Sequence, residues 1–173
     1  DSQLRDILIT GGDALMSTNK TLRKILQSVY QMAKRKRQAN KNRKQGEKYA
    51  QILRVRLGTR LPVYLPMRIK SGLVNILAEF KEKAAKIGIQ QFVFQTHFES
   101  PMEITPETKF CVDQLNKAGW IVTNQLVFIS AASRRGHTAK LRKALNGIGI
   151  LPYYSFTVKG YMENNHLFTP NAR

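Results

Sequence analysis

Ile7-Leu8-Ile9-Thr10-Gly11-Gly12-Asp13-Ala14-Leu15 is the stretch on which the fold turns. Three consecutive aliphatic residues read as a buried strand, and the paired glycines after them carry bare backbone to the mouth of a site. Only a residue without Cβ lets amides and carbonyls come close to a ligand. Taken alone, Gly-Gly-Asp after a strand is more often a plain turn. The pattern gains meaning because apolar strands with polar C-terminal ends recur four more times along the chain.

The first strand is placed at Arg5 to Thr10. A helix follows from Ser17-Thr18-Asn19, which offer N-cap oxygens, with Leu22, Ile25, Leu26, Val29, Tyr30 and Ala33 at helical spacing. A second strand, Ile52 to Leu57, ends at Gly58-Thr59-Arg60. Pro62 and Pro66 bracket a short apolar segment expected not to be regular helix. The next helix carries Leu73, Val74, Ile76, Leu77, Phe80, Ala84 and Ile87 and stops at Gly88. The third strand, Gln91 to Gln95, leads into Thr96-His97-Phe98. Thr105 and Pro106 open another helix as N-cap and first helical residue, with Phe110, Cys111, Gln114, Leu115 and Ala118 as its apolar stripe. The fourth strand, Trp120 to Ile129, contains a polar insertion at Thr123-Asn124-Gln125. A helix over His137 to Leu145 precedes the fifth strand, Ile150 to Phe156.

Strand and helix thus alternate in units of about 30 to 45 residues, which argues for an α/β fold of parallel strands with right-handed crossovers. A complete eight-stranded barrel takes ~250 residues, so 173 residues leave a small doubly wound sheet or a partial barrel. Either puts the site at the C-terminal strand ends. Gly11, Gly12, Asp13, Arg60, His97, Asn124, Gln125 and Tyr154 are therefore expected at one mouth.

Composition bounds the function. The hydrophobic content of 42% suits one globular domain, and no apolar run reaches the ~18 residues of a membrane span. No signal-peptide pattern opens the chain, and the cytosol is the default compartment. The chain begins at Asp1 rather than Met, with a strand close behind, and is read as a processed or excised piece. A single cysteine, Cys111, excludes an internal disulfide and a multi-cysteine metal site made by this chain alone. It sits at core spacing on a helix and is read as structural.

The net charge of +18 favours polyanionic partners: nucleic acid, phosphorylated cofactors or anionic membranes. Much of it lies in a tract from Lys34-Arg35-Lys36-Arg37 to Lys48. That tract reads as a solvated helix extension or loop insertion. The rival reading is a nucleic-acid-binding arm, which lacks interleaved aromatic residues between Ala33 and Lys48.

Five groups of residues together resemble the lysine 2,3-aminomutase (KamA-like) branch of the radical S-adenosylmethionine enzymes. They are Ile9-Thr10-Gly11-Gly12-Asp13-Ala14-Leu15; Arg56-Leu57-Gly58-Thr59-Arg60-Leu61-Pro62-Val63 with Leu65-Pro66-Met67-Arg68-Ile69; Thr96-His97-Phe98 with Glu103-Ile104-Thr105; Asn124-Gln125; and Pro152-Tyr153-Tyr154. The resemblance covers nearly the whole chain apart from the basic tract and the tail. It implies a partial (βα)6, TIM-like barrel, of which about five strands are present in the single domain 1–173.

The implied cofactors are S-adenosylmethionine on a [4Fe-4S] cluster, together with pyridoxal phosphate. The implied reaction is a 1,2-amino shift on an amino acid, begun by a 5′-deoxyadenosyl radical. Gly11, Gly12 and Asp13 match the motif that holds the cofactor's methionyl ammonium. His97 and Gln125 match polar positions of the cofactor cavity, and Tyr153 and Tyr154 match aromatic positions near the pyridoxal end. Arg60 and Arg68 are candidates for a phosphate or carboxylate, or for surface ion pairs.

The same resemblance places three elements elsewhere. The Cys-x-x-x-Cys-x-x-Cys cluster motif and the arginine for the substrate carboxylate belong upstream, and the Schiff-base lysine belongs downstream. The piece is therefore expected to be inactive alone. Where lysine-specific members carry an acidic residue after the tyrosines, this chain has Val158-Lys159-Gly160. A lysine there repels a distal ammonium, so either the substrate is not plain L-lysine or another carboxylate serves. A non-catalytic barrel scaffold is the remaining alternative. Open strand edges lead us to expect self-association into a homo-oligomer.

Overall fold

A computed structural model describes residues 2–130 and 132–157. Five parallel strands form one sheet in sequential order: β1 (Asp6–Ile9), β2 (Arg54–Gly58), β3 (Gln91–Thr96), β4 (Ile121–Phe128) and β5 (Ile150–Thr157). Between them run α1 (Asn19–Ala39), α2 (Leu61–Tyr64), α3 (Ser71–Lys86), α4 (Pro106–Lys117) and α5 (His137–Asn146). A doubly wound sheet reverses its strand order at a switch point. The unbroken order of parallel strands here belongs to an open, partial TIM-like barrel.

The two faces of the sheet differ as a barrel wall requires. Val55, Leu57, Phe92, Phe94, Val122 and Ile150 are buried beneath the helices. On the other face stand Leu8, Arg56, Gln95, Ile121 and Leu151, of which Leu8, Ile121 and Leu151 are exposed. At the centre of the helix-side core lies Trp120, whose ring centroid is 5.3 Å from Phe94, 5.6 Å from Phe92 and 6.2 Å from Phe80. Its indole N–H donates to the Leu77 carbonyl at 3.1 Å, which satisfies the one polar atom it buries.

Two expectations about the elements are corrected. Leu61–Tyr64 does form a turn of helix, because Pro62 stands in its first turn, where no intrahelical N–H is called for. Phe110 is exposed, and the buried stripe of α4 is Thr108, Cys111, Val112 and Leu115, one set of i, i+3, i+4, i+7 positions. Thr108 belongs inside because its hydroxyl donates to the Pro62 carbonyl, which ties α4 to α2. Thr123-Asn124-Gln125 lies within β4, as expected, and does not break it. The irregularity lies in its pairing, where Asn124 faces Pro152 and Gln125 faces Tyr154, so that Tyr153 is the extra residue of a bulge on β5.

The basic tract begins as the last two turns of α1. Lys36 donates to the Leu4 carbonyl and Arg37 to the Lys86 carbonyl. Asn40 then holds both backbone groups of Tyr49, and the Arg43 guanidinium lies 3.9 Å from the Tyr49 ring centroid. The tract is a folded-back extension anchored at both ends. Among the described residues, no helix is long and apolar enough to cross a membrane.

Trp120→Ala is expected to lower unfolding free energy by about 3–5 kcal/mol, read by urea denaturation. Phe110→Ala, on the exposed side of α4, should change it by less than about 0.5 kcal/mol.

Candidate functional site

The first side chain of the site is Asp13. Its Oδ1 accepts from the Leu15 amide at 2.9 Å and the Thr59 hydroxyl at 2.7 Å, and its Oδ2 accepts from the Arg60 amide at 2.7 Å. One carboxylate therefore joins the loop after β1 to the loop after β2. Gly11 and Gly12 precede it with φ of +115° and +57°, in open space on the solvent side. Glycine is needed there for its backbone conformation.

The third loop is fixed in a similar way. Asn124 is buried, and its amide holds the Phe98 backbone at both ends, accepting from N at 2.6 Å and donating to O at 3.0 Å. Its side chain thus clamps the loop that carries His97 and does not face the mouth, contrary to the expectation for it. Ser100 and Glu103 close the same loop with a capping box, in which Glu103 accepts from the Glu99 and Ser100 amides.

These ties bring Gly12, Asp13, Arg60, His97 and Gln125 around one cavity of about 200 Å³ at the C-terminal strand ends, together with Thr59 and Gln95. Gly11 adjoins it. Tyr154 pairs with Gln125 on the edge strand β5, and the Tyr153 and Tyr154 rings lie 4.1 Å apart, half exposed. In a regular strand two adjacent side chains point to opposite faces, and the bulge at Tyr153 brings these two together. Arg68 lies apart from the cavity, where it donates to the Ser17 carbonyl and to Asn19 and fixes the entry to α1. Lys159 lies outside the described residues.

Among the described residues, Arg60 Nε, Gln95 Nε2, Thr96 Oγ1 and Glu99 Oε2 are buried without a partner. All of them stand at or just beyond the C-terminal ends of β2 and β3. Gln95 and Glu99 were not among the sequence candidates. Their signal was available in outline, as polar residues flanking His97 at a strand end. Burial holds the His97 imidazole below its ordinary pKa, and the nearby Arg60 cation adds to this. Burial likewise pushes the Glu99 carboxyl up. The site therefore presents a neutral imidazole, a guanidinium and amide donors to whatever enters it. Cys111, buried on α4 with its thiol pushed up to about 12, does not line the cavity. No group of three or more His, Cys, Asp or Glu among the described residues could hold a metal.

No family model matches the chain. Individual relatives do. It is 35% identical over 97% of its length to an uncharacterized KamA family protein of Methanocaldococcus jannaschii, covering 23% of that protein. It is 30% identical over 99% of its length to an L-lysine 2,3-aminomutase of Fusobacterium nucleatum, covering 34% of it. The chain is KamA-like along its whole length. A glutamate 2,3-aminomutase of Clostridioides difficile is 29% identical over 98% of the chain, which covers 34% of that enzyme. This KamA-like chain thus spans a quarter to a third of the relatives it matches.

Asp13→Ala is expected to destabilise the fold by about 3 kcal/mol, since it leaves buried donors without a charged acceptor, as read by thermal or urea melts. Gly12→Ala should cost about 1–2 kcal/mol through its left-handed backbone alone. Histidine NMR titration should find His97 neutral at pH 7, and Arg60→Gln should raise its pKa only part of the way, because burial is the larger cause. Because the folded pKa is depressed, the unfolded chain takes up the proton first. Stability is therefore lost as pH falls through the ordinary histidine range, and less so in His97→Gln.

Proposed function

We propose that this chain is the central, cofactor-binding part of a radical S-adenosylmethionine aminomutase that moves an amino group between neighbouring carbons of an amino acid. The observation that carries the reading is the cavity at the strand ends. There Gly12, Asp13, Arg60, His97 and Gln125, which the family resemblance singles out in four separate stretches of sequence, line one space. The described residues offer no cluster of metal ligands, so the [4Fe-4S] ligands would come from other parts of the protein, where the resemblance also puts the Schiff-base lysine.

The donor set fits the amino-acid portion of the cofactor. The Gly11 and Gly12 backbone stands in open space and can offer carbonyl acceptors to an ammonium, with the negative charge of Asp13 behind it. The orphaned Arg60 Nε and Gln95 Nε2 are donors suited to an anionic oxygen. His97, kept neutral by burial, can accept or donate without adding a charge. Tyr153 and Tyr154 present a paired aromatic surface beside Gln125 for a flat ring. When bound, the cluster and S-adenosylmethionine supply hydrogen abstraction from an unactivated carbon, and pyridoxal phosphate supplies a carrier for the migrating nitrogen.

The substrate is proposed to carry an acidic side chain. In the sequence, Lys159 occupies the position after the tyrosines at which the resemblance leads one to expect an acidic residue in lysine-specific members. The inner sheet face presents Arg54 and Arg56 against the one carboxylate of Asp6, and a glutamate 2,3-aminomutase is among the relatives.

The complete protein, reconstituted anaerobically with iron and sulfide and reduced, should give a [4Fe-4S]⁺ EPR signal that changes on adding S-adenosylmethionine. A protein with no cluster, or with a cluster indifferent to the cofactor, would overturn the reading. Turnover of L-glutamate in preference to L-lysine is expected, and preference for lysine would remove the substrate assignment.

A further inference from the structure

Gln95 is 3% exposed, at the next-to-last position of β3, and it lines the cavity. Its Oε1 accepts from Arg56 Nη1 at 3.2 Å, and its Nε2 has no partner. A guanidinium has only donors, so it must meet the carbonyl end of the amide. Arg56 therefore dictates which way the carboxamide lies. Arg56 is itself held, with Nε donating to Asp6 Oδ1 at 2.9 Å. Asp6 also receives Arg54, whose Nε is bonded to Gln91. A chain of contacts thus crosses three strands of the inner face and ends on an N–H group with nothing to donate to. A glutamine serving only to fill space would have both ends of its amide satisfied or would be replaced by an apolar residue at no loss.

We propose that Gln95 is a ligand-binding residue whose Nε2 donates to a carboxylate oxygen of the amino-acid group bound in the cavity, with Asp6 and Arg56 as positioning residues that fix its orientation. The carboxylate has two sources, the methionyl part of the cofactor or the amino-acid substrate. The proposal rests on the reading of this cavity as an amino-acid and cofactor site.

The test compares the complete wild-type protein with Gln95→Glu. In the variant Arg56 holds one carboxylate oxygen and the other faces the ligand as an acceptor. If the cofactor is the source, the Kd for S-adenosylmethionine by calorimetry should rise by at least about tenfold, the loss of one hydrogen bond to a charged group, while decarboxylated S-adenosylmethionine binds both proteins alike. If the substrate is the source, the cofactor Kd should hold and the KM for glutamate should rise by a similar factor with a smaller change in kcat. Arg56→Lys, which removes the planar fork, should give a weaker loss in the same arm.

Unchanged constants in both arms would overturn the inference while leaving the site reading intact. Equal weakening of the decarboxylated ligand would also overturn it, as a general disturbance of the cavity. A wild-type protein that binds neither ligand would defeat the site reading and the inference together. Should Gln95→Glu fail to fold, as judged by its melting curve, Gln95→Met removes the same donor without adding a charge, and the same arms apply.

Discussion

The mouth of this half-barrel depends on one carboxylate. Asp13 accepts from Leu15, from the Thr59 hydroxyl and from the Arg60 amide. The donors on the second loop are 46 and 47 residues away in sequence. Parallel strands cannot be joined by a tight hairpin, so their C-terminal loops have no covalent reason to lie together. An ionised side chain accepting several N–H and O–H bonds supplies that reason, and charge-assisted bonds are the strong ones. The left-handed glycines before Asp13 bring the chain round so that the carboxylate can reach across.

The same device recurs further along the sheet. Asn124 on β4 holds Phe98 beyond β3, and Glu103 holds the amides of Glu99 and Ser100. The loops at the mouth are thus fixed by polar side chains acting on backbone, which leaves atoms of other residues there, Arg60 and Gln95 among them, without a structural partner. The described orphans of the structure gather here for that reason: Arg60, Gln95, Thr96 and Glu99 have buried atoms without partners at the one end of the sheet where a ligand is proposed. Unsatisfied buried polar atoms are costly, and folds retain them where something else completes them.

The strands and most helices were legible in the sequence because apolar periodicity and caps are local. Thr105 and Pro106 start α4 as read, and Thr18 caps α1 through the Thr21 amide. What was not legible came from contacts between elements. Thr108 is buried and Phe110 exposed because α4 presents to α2 the face that can donate to Pro62. Asn124 looked like a residue of the mouth, and it points instead at Phe98. Gln95 looked like an ordinary strand residue until Arg56 was seen to orient it. Arg60 and Arg68 were alike as sequence, yet one lines the cavity and the other holds Ser17 and Asn19.

The sequence by itself determined the parallel α/β class, the positions of the loops and the residue types available at them, since these follow from periodicity, glycine conformation and capping. Tertiary structure decided that the strands stand in unbroken order as part of a barrel wall, and which polar residues tie loops and which face the cavity. That division has a physical cause. A polar side chain has the same chemistry in either role. Only the position of its partner, set by the register of a neighbouring strand dozens of residues away, determines whether its hydrogen bonds are already satisfied or left for a ligand.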